Sequence, residues 1–304
     1  MSRGLRDRSK SGAIIVVVAV FLFPAAVFAK NGAIPCDHAL KNVPVRPANA
    51  SSGSKFAREV AMLTEHEREK AIEEELLAGN IPPFLTRLVP VQLSGRTANG
   101  AMTRVTLCVA PDYLAIGSER DFIFVPMRLA TALRVARHFD AVLPTSKIVD
   151  AVYEQAEVRL APQPLPAGDQ MRSTAYYARH NELIRQQEET FGAALGNLIA
   201  GDKKDLVLTG RLWRMSDRVA IYGWHRGSHE PIQPLSTVHG ARYADYSHGV
   251  RLVGAEADVD DEPRPLLAVL DDPQLAPVVS NEGAIPRISE LVAVLSVAPA
   301  EASQ

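Results

Sequence analysis

Between Asp202 and Arg251 the chain concentrates side chains that hold metals, move protons or bind anions. They are Lys203, Lys204, Asp205, Tyr222, Trp224, His225, His229, Gln233, His239, Tyr243, Asp245, Tyr246, His248 and Arg251. Four of the eight histidines fall between His225 and His248. Imidazole, phenol and carboxylate are the common general acids and bases, and imidazole is also a frequent metal ligand. Here they alternate with Gly, Pro and short apolar runs, the composition of a site built on loops between short strands.

Two chemistries suit this set. In the first, His225, His239 and His248 hold a divalent metal such as zinc, with Asp205 or Asp245 able to replace one imidazole. The histidines are separated by 13 and 8 intervening residues, so they cannot share a helix face and only loops could bring them together. The metal would lower the pKa of a bound water and polarise a carbonyl. Tyr246 or Asp245 would handle the proton, and Arg251 or Lys204 would orient an anionic substrate group. The tripeptide Gly223-Trp224-His225 resembles the Trp-His ending of some zinc D,D-carboxypeptidase motifs. That resemblance covers three residues and lacks the upstream HxxxxxxD partner.

In the second, a phenol from Tyr222, Tyr243 or Tyr246 works with His225 or His248 without a metal, and Lys204 or Arg251 neutralises a substrate carboxylate. That set suits β-elimination from acidic polysaccharides, in which a cation must stabilise developing negative charge. A non-catalytic alternative stands beside both: Trp213, Trp224, Tyr222, Gln233 and Arg251 could bind a glycan through aromatic faces and polar rims. No HExxH, GxSxG or glycine-rich nucleotide loop is present, so no nucleotide cofactor is expected.

The compartment narrows the substrate. Arg3, Arg6, Arg8 and Lys10 precede the apolar run Ala13–Phe23, and Val27-Phe28-Ala29 supplies a small-residue exit, so residues 1–29 read as a cleaved signal peptide. The run is too short to span a bilayer, and no stable membrane span is expected after cleavage. Removing it leaves 29 basic and 34 acidic side chains, a net charge of −5, which argues against nucleic acid as a partner. The expected function is thus a secreted or periplasmic hydrolase of an envelope or extracellular polymer, such as peptidoglycan, a peptide or a polysaccharide. Cys36 and Cys108 could form one disulfide in an oxidising compartment, or Cys108 could be a buried small hydrophobe.

The elements that must position these residues follow from periodicity. Residues 30–54 mix Pro, Asn, Gly and Ser and read as an extended arm. Lys55–Ala78 reads as one amphipathic helix whose charged run 65–70 faces water, and residues 103–127 as two or three strands broken at Pro111-Asp112 and Glu119-Arg120. Helices are expected over Leu129–Phe139, over Ser146–Ala156 with Thr145 as its cap, and over Ala175–Ile199, from which His180 could reach the site. Short strands follow Gly201, and helical runs return at Pro265–Leu270 and Ile288–Val297. The fold class is therefore α+β, a mixed or antiparallel sheet with several packed helices. One domain is expected over 55–298, with a subdivision at the proline-rich 161–170 as an alternative and a frayed tail over 299–304. If the leader is read correctly, N-terminal sequencing of protein recovered outside the cytoplasm begins at Lys30; an intact Met1 there would overturn it.

Overall fold

Alternation of apolar and polar residues over Val91–Leu93 and Thr103–Val109 produces the central antiparallel hairpin of the protein, with one face buried and the other partly exposed. The computed structural model describes Met1, Cys36 and residues 40–297. The expected signal peptide, most of residues 30–39 and the C-terminal tail lie outside the described residues.

In chain order, α1 (Gly53–Glu59) and α2 (Glu65–Leu77) precede the hairpin strands β1 (Val89–Arg96) and β2 (Met102–Val109). Then come β3 (Ala115–Gly117), β4 (Phe122–Phe124), α3 (Leu129–His138), β5 (Ala141–Val142), α4 (Ser146–Gln155), β6 (Val158–Arg159) and α5 (Thr174–Phe191). The site-bearing half contains β7 (Ile199–Ala200), β8 (Lys204–Leu206), β9 (Ile221–His225), β10 (Pro231–Ser236) and β11 (His248–Gly249). It closes with β12 (Val253–Val259), β13 (Glu262–Pro265), α6 (Leu266–Asp271), α7 (Ala276–Val279) and α8 (Ile288–Leu295).

Mixed α+β architecture is what these elements form. One sheet runs β1-β2-β12-β13, with β5 also paired to β12, and all its pairs are antiparallel. A second runs β10-β9-β8-β11, antiparallel except for the parallel β8–β11 pair. Helix α4 packs against both β1 and β9 and so ties the two sheets together. Helices α3 and α4 occupy the expected spans, and Thr145 accepts a hydrogen bond from the Ile148 amide as the cap of α4.

Four departures from the sequence reading have local causes. The expected helix over Lys55–Ala78 is two helices, because Thr64 and Glu67 form a reciprocal capping box that starts α2 afresh. Within its charged run Arg68 turns inward rather than to water, donating to the Arg172 carbonyl, to Thr174 and to the Tyr177 hydroxyl. Helix α5 stops at Gly192 in the left-handed conformation, not at Gly201. Strand β1 has no clear sequence signal because Pro90 and Gly95 interrupt it; an edge position tolerates the proline.

Two helices close sheet edges with a carboxamide. Gln155 of α4 accepts from the Gln92 amide and donates to the Gln92 carbonyl of β1. Asn181 of α5 does the same for β4, accepting from the Phe124 amide and donating to the Phe122 carbonyl. Each side chain thus satisfies the backbone groups that a further strand would have paired. Residues 40–52 are anchored rather than loose, since Arg46 donates to Asn80 and to the carbonyls of Ala50, Ser51 and Gly117.

Cys36 and Cys108 are joined in a disulfide that spans 72 positions and staples the N-terminal segment to β2. No described helix is long and apolar enough to cross a membrane. Closing a loop of that length stabilises the fold by about 4 kcal/mol in the chain-entropy account. Denaturant titration of the Cys36→Ala/Cys108→Ala double variant should show a loss of that order; a loss below about 1 kcal/mol would mean the bridge is mechanically idle.

Candidate functional site

The four-stranded sheet brings part of the chemistry-bearing segment together and separates the rest. In the parallel β8–β11 pair, Lys204 lies opposite His248 and Asp205 opposite Gly249. Side chains alternate along a strand, so Lys204 and His248 share one face while Asp205 belongs to the other. Strand β9 departs from this alternation at Gly223 (φ 109°) and Trp224 (φ 57°). As a result Trp224 lies on the Lys204 face, with the Lys204 ammonium 4.9 Å from its ring, whereas Tyr222 and His225 both reach Asp150 of α4.

On the first face His239 stacks on Tyr243, ring centroids 4.1 Å apart and planes within 8°. His248 lies behind them, 6.4 Å from His239 and 5.7 Å edge-on to Tyr243. Asp245 accepts hydrogen bonds from the Tyr243 hydroxyl at 2.8 Å, the Ser247 amide at 2.8 Å and the Ser247 hydroxyl at 2.6 Å. His239, Tyr243 and Lys204 are half-buried, so the group reaches solvent, while His248 is fully buried and neither of its ring nitrogens has a hydrogen-bond partner. A buried polar atom without a partner costs about 1–3 kcal/mol, and such orphans call for a functional explanation.

Electrostatics follow from this burial. It pushes His248 down to about 4, with Asp245 opposing and Lys204 and His239 adding to the fall. His239 and Lys204 are lowered by burial too, again against the pull of Asp245. Tyr243 is raised by burial and by the Asp245 carboxylate. For Asp245 burial acts upward, but His248, Ser247 and Tyr243 together outweigh it and hold the carboxyl below its ordinary range. At neutral pH the group therefore combines two neutral imidazoles, a protonated phenol and an ionised carboxylate.

The opposite face carries a separate constellation. Asp150 Oδ1 accepts from the Tyr222 hydroxyl at 2.7 Å and lies 3.0 Å from His225 Nε2, and the His225 ring stacks on Tyr153 at 4.6 Å. Asp205 accepts from the Tyr113 hydroxyl at 2.9 Å, and burial raises its carboxyl to about 7 despite Arg251 nearby. Gly249 makes this packing fit, because a Cβ there would stand 2.4 Å from the Tyr113 ring.

Several sequence expectations change accordingly. His225 is not brought to His239 and His248, so the three-imidazole set is not assembled. Among the described residues no group of three or more His, Cys, Asp or Glu is placed to hold a metal ion, and Asp245 already accepts three hydrogen bonds. Arg251 is sealed from solvent and donates to the Ala110 and Ile199 carbonyls, with Tyr113 stacked against it, so it pins the interior rather than meeting substrate. Tyr246 is likewise buried, its hydroxyl bonded to the Leu165 backbone and its ring beside His180 and Trp224. Lys203 is fully buried and bonds the Tyr246 carbonyl and His180 Nδ1.

No known protein family, curated protein or solved structure matches the chain. The site therefore rests on its own geometry. Of the residues outside the 202–251 segment, Asp150 had no signal in the sequence: it is one polar position on an amphipathic helix, 75 positions from His225.

Stability should report the buried imidazole. An unfolded histidine titrates near 6.5 and His248 in the fold at about 4, so its stabilising contribution is present above pH 6.5 and is lost as pH falls towards 4. Urea unfolding between pH 7 and 4 is expected to reveal a loss on the order of 3 kcal/mol from this group, with His248→Gln flattening the slope. An identical slope in the variant would show that His248 is not buried in neutral form.

Proposed function

We propose that the protein is an exported acid–base enzyme that cleaves an acidic envelope or extracellular polysaccharide, by β-elimination in preference to hydrolysis. The observation that carries this reading is the stacked His239–Tyr243 pair, which sets a neutral imidazole and a protonated phenol side by side at the solvent edge of the site. A neutral imidazole accepts a proton, and a phenol that stays protonated can give one to a leaving alkoxide, which is the stronger base; these are the two transfers that elimination next to a carboxylate requires.

His239 removes the proton beside the substrate carboxylate. Lys204 balances the negative charge that develops there, as a positioned cation does for an enolate-like transition state. Tyr243 turns its hydroxyl proton from Asp245 to the departing glycosidic oxygen, and Asp245, held by Ser247, accepts the hydroxyl again once Tyr243 is reprotonated. The proton gained by His239 returns through solvent to the Tyr243 oxygen and restores both groups, while His248, held neutral by burial, stays behind the two rings. Arg172, ion-paired with Glu65 at 3.2 Å, also acts electrostatically on Tyr243.

The predicted leader and the Cys36–Cys108 bridge support a location outside the cytoplasm. Ser247 donates its hydroxyl to Asp245 and is sealed from solvent, which disfavours it as a nucleophile toward a polymer, and the metal reading would need a third ligand beside the His239–His248 pair. Substrate breadth is set by that local chemistry: a uronic acid or another carboxylate-bearing sugar.

Incubation of the full chain with acidic polysaccharides decides among the readings. Elimination yields new reducing ends together with ultraviolet absorbance from the new double bond, and Tyr243→Phe and His239→Ala should each lower the rate by about 10²-fold or more. Reducing ends without absorbance would establish hydrolysis instead. Retention of polymer with no cleavage, unchanged in both variants, would make the protein a glycan-binding module and end the catalytic proposal.

A further inference from the structure

Positive charge is spread unevenly along the chain. Residues 211–242 hold five arginines against Asp217 and Glu230, a net charge of +3, whereas the rest of residues 30–304 carries −8. The fold gathers four of those arginines along the segment that bears the reacting pair. Residues 211–219 are laced onto 235–241, the run that contains His239. Arg211 donates to the Leu235 carbonyl at 3.2 Å, Arg218 to the Val238 carbonyl at 2.8 Å, and the Val219 amide to the His239 carbonyl at 3.1 Å. Arg242 stands between His239 and Tyr243, in the turn closed by the Tyr243 amide on the Gly240 carbonyl.

Counter-charge is scarce along this strip. Arg211 lies in the 3₁₀ turn Gly210–Trp213 and Arg214 follows three positions later, the spacing at which side chains of such a turn eclipse, so the two stand on one side. Asp217 pairs with Arg218 at 3.5 Å, and Glu282 accepts from the Gly210 amide at the far end. Arg214 and Arg242 are exposed, and the side chain of neither is ion-paired or hydrogen-bonded to a described residue. Like charges held together raise the local potential, and a bound polyanion relieves it. The planar guanidinium fork suits carboxylate oxygens, which it can engage two at a time.

We propose that Arg211, Arg214, Arg218 and Arg242 form a binding strip for an acidic polysaccharide, whose successive carboxylates run along the 235–242 segment past His239. The choice of polymer rests on the elimination reading above, but affinity for a chain of carboxylates does not require that a bond be cut. Arg242 fixes the polymer nearest the reacting pair, and Arg211 and Arg214 hold it farther along. Nucleic acid is the competing polyanion. It is disfavoured because Trp213, the one aromatic of residues 211–218, is half-buried with Arg287 stacked 4.8 Å over its ring, which leaves little platform for a base.

Calorimetric titration of the full chain carrying His239→Ala, which suppresses turnover, with polygalacturonate, dextran and single-stranded DNA of matched length tests the strip. The expected result is binding of polygalacturonate that weakens as NaCl rises from about 0.01 M to about 0.15 M, and no binding of dextran. Adding Arg214→Gln and Arg242→Gln together should weaken binding about tenfold without changing the unfolding temperature. Binding of this kind with no ultraviolet-absorbing product from the unsubstituted chain would uphold the strip and end the elimination reading. No binding of polygalacturonate, undiminished affinity in the double arginine variant, or dextran or DNA bound as tightly as polygalacturonate would overturn the strip.

Discussion

Removing Lys203, Arg251, Asp202 and Asp205 from water together is the constraint around which the second half of this protein is built. Each buried ion loses several kcal/mol of hydration, so it must be paired, hydrogen-bonded or neutralised. Arg251 is satisfied by two main-chain carbonyls and the Tyr113 face, with Asp205 3.9 Å from its Nε. Lys203 is satisfied by the Tyr246 carbonyl and His180, and burial lowers it to about 8 even with Asp202 alongside. These bonds reach β7, α5, and the segments before β3 and β11, so the charged interior is also what fixes β8 in place. Once β8 is fixed, the faces of its neighbours are fixed as well.

That placement determines which residues can act together. Lys204 and His248 are cross-strand neighbours, and the turn from Tyr243 to Ser247 folds over them through the Asp245 hydrogen bonds. The positive-φ pair Gly223-Trp224 diverts β9, placing an aromatic ring over Lys204 and sending His225 to Asp150. Non-glycine residues at positive φ are uncommon, and for a bulky tryptophan the conformation is strained. Here the strain is offset by the packing of Trp224 with His180, Tyr246 and Lys204. The consequence is two polar constellations on opposite faces of one small sheet instead of a single convergent site.

Much of the scaffold is legible in the chain. Helices α3 and α4, the strands of residues 102–124 and the short strands after Gly201 lie where periodicity and turn residues place them. Misreadings occur where a local hydrogen bond overrides periodicity, as at the Thr64–Glu67 capping box, or where a strand is edge-bound and interrupted, as in β1. The site was legible as a segment. His239, His248, Asp245 and Lys204 do assemble, but His225, Tyr222, Tyr246 and Arg251 take other partners, because residue type announces chemical capacity and not direction.

By itself, then, the sequence determined the inventory: an α+β chain, a leader-like start, and imidazoles, phenols and carboxylates concentrated in one stretch. Those properties are local, set by composition and by periods of two and 3.6 residues. Only tertiary structure decided that Cys36 meets Cys108, that Arg251 and Lys203 are sealed inside, and that His239 stacks on Tyr243 while His225 turns to Asp150. Each of those outcomes depends on how strands far apart in sequence pair and on one reversal of strand alternation. The cost of burying charge then selects the partners.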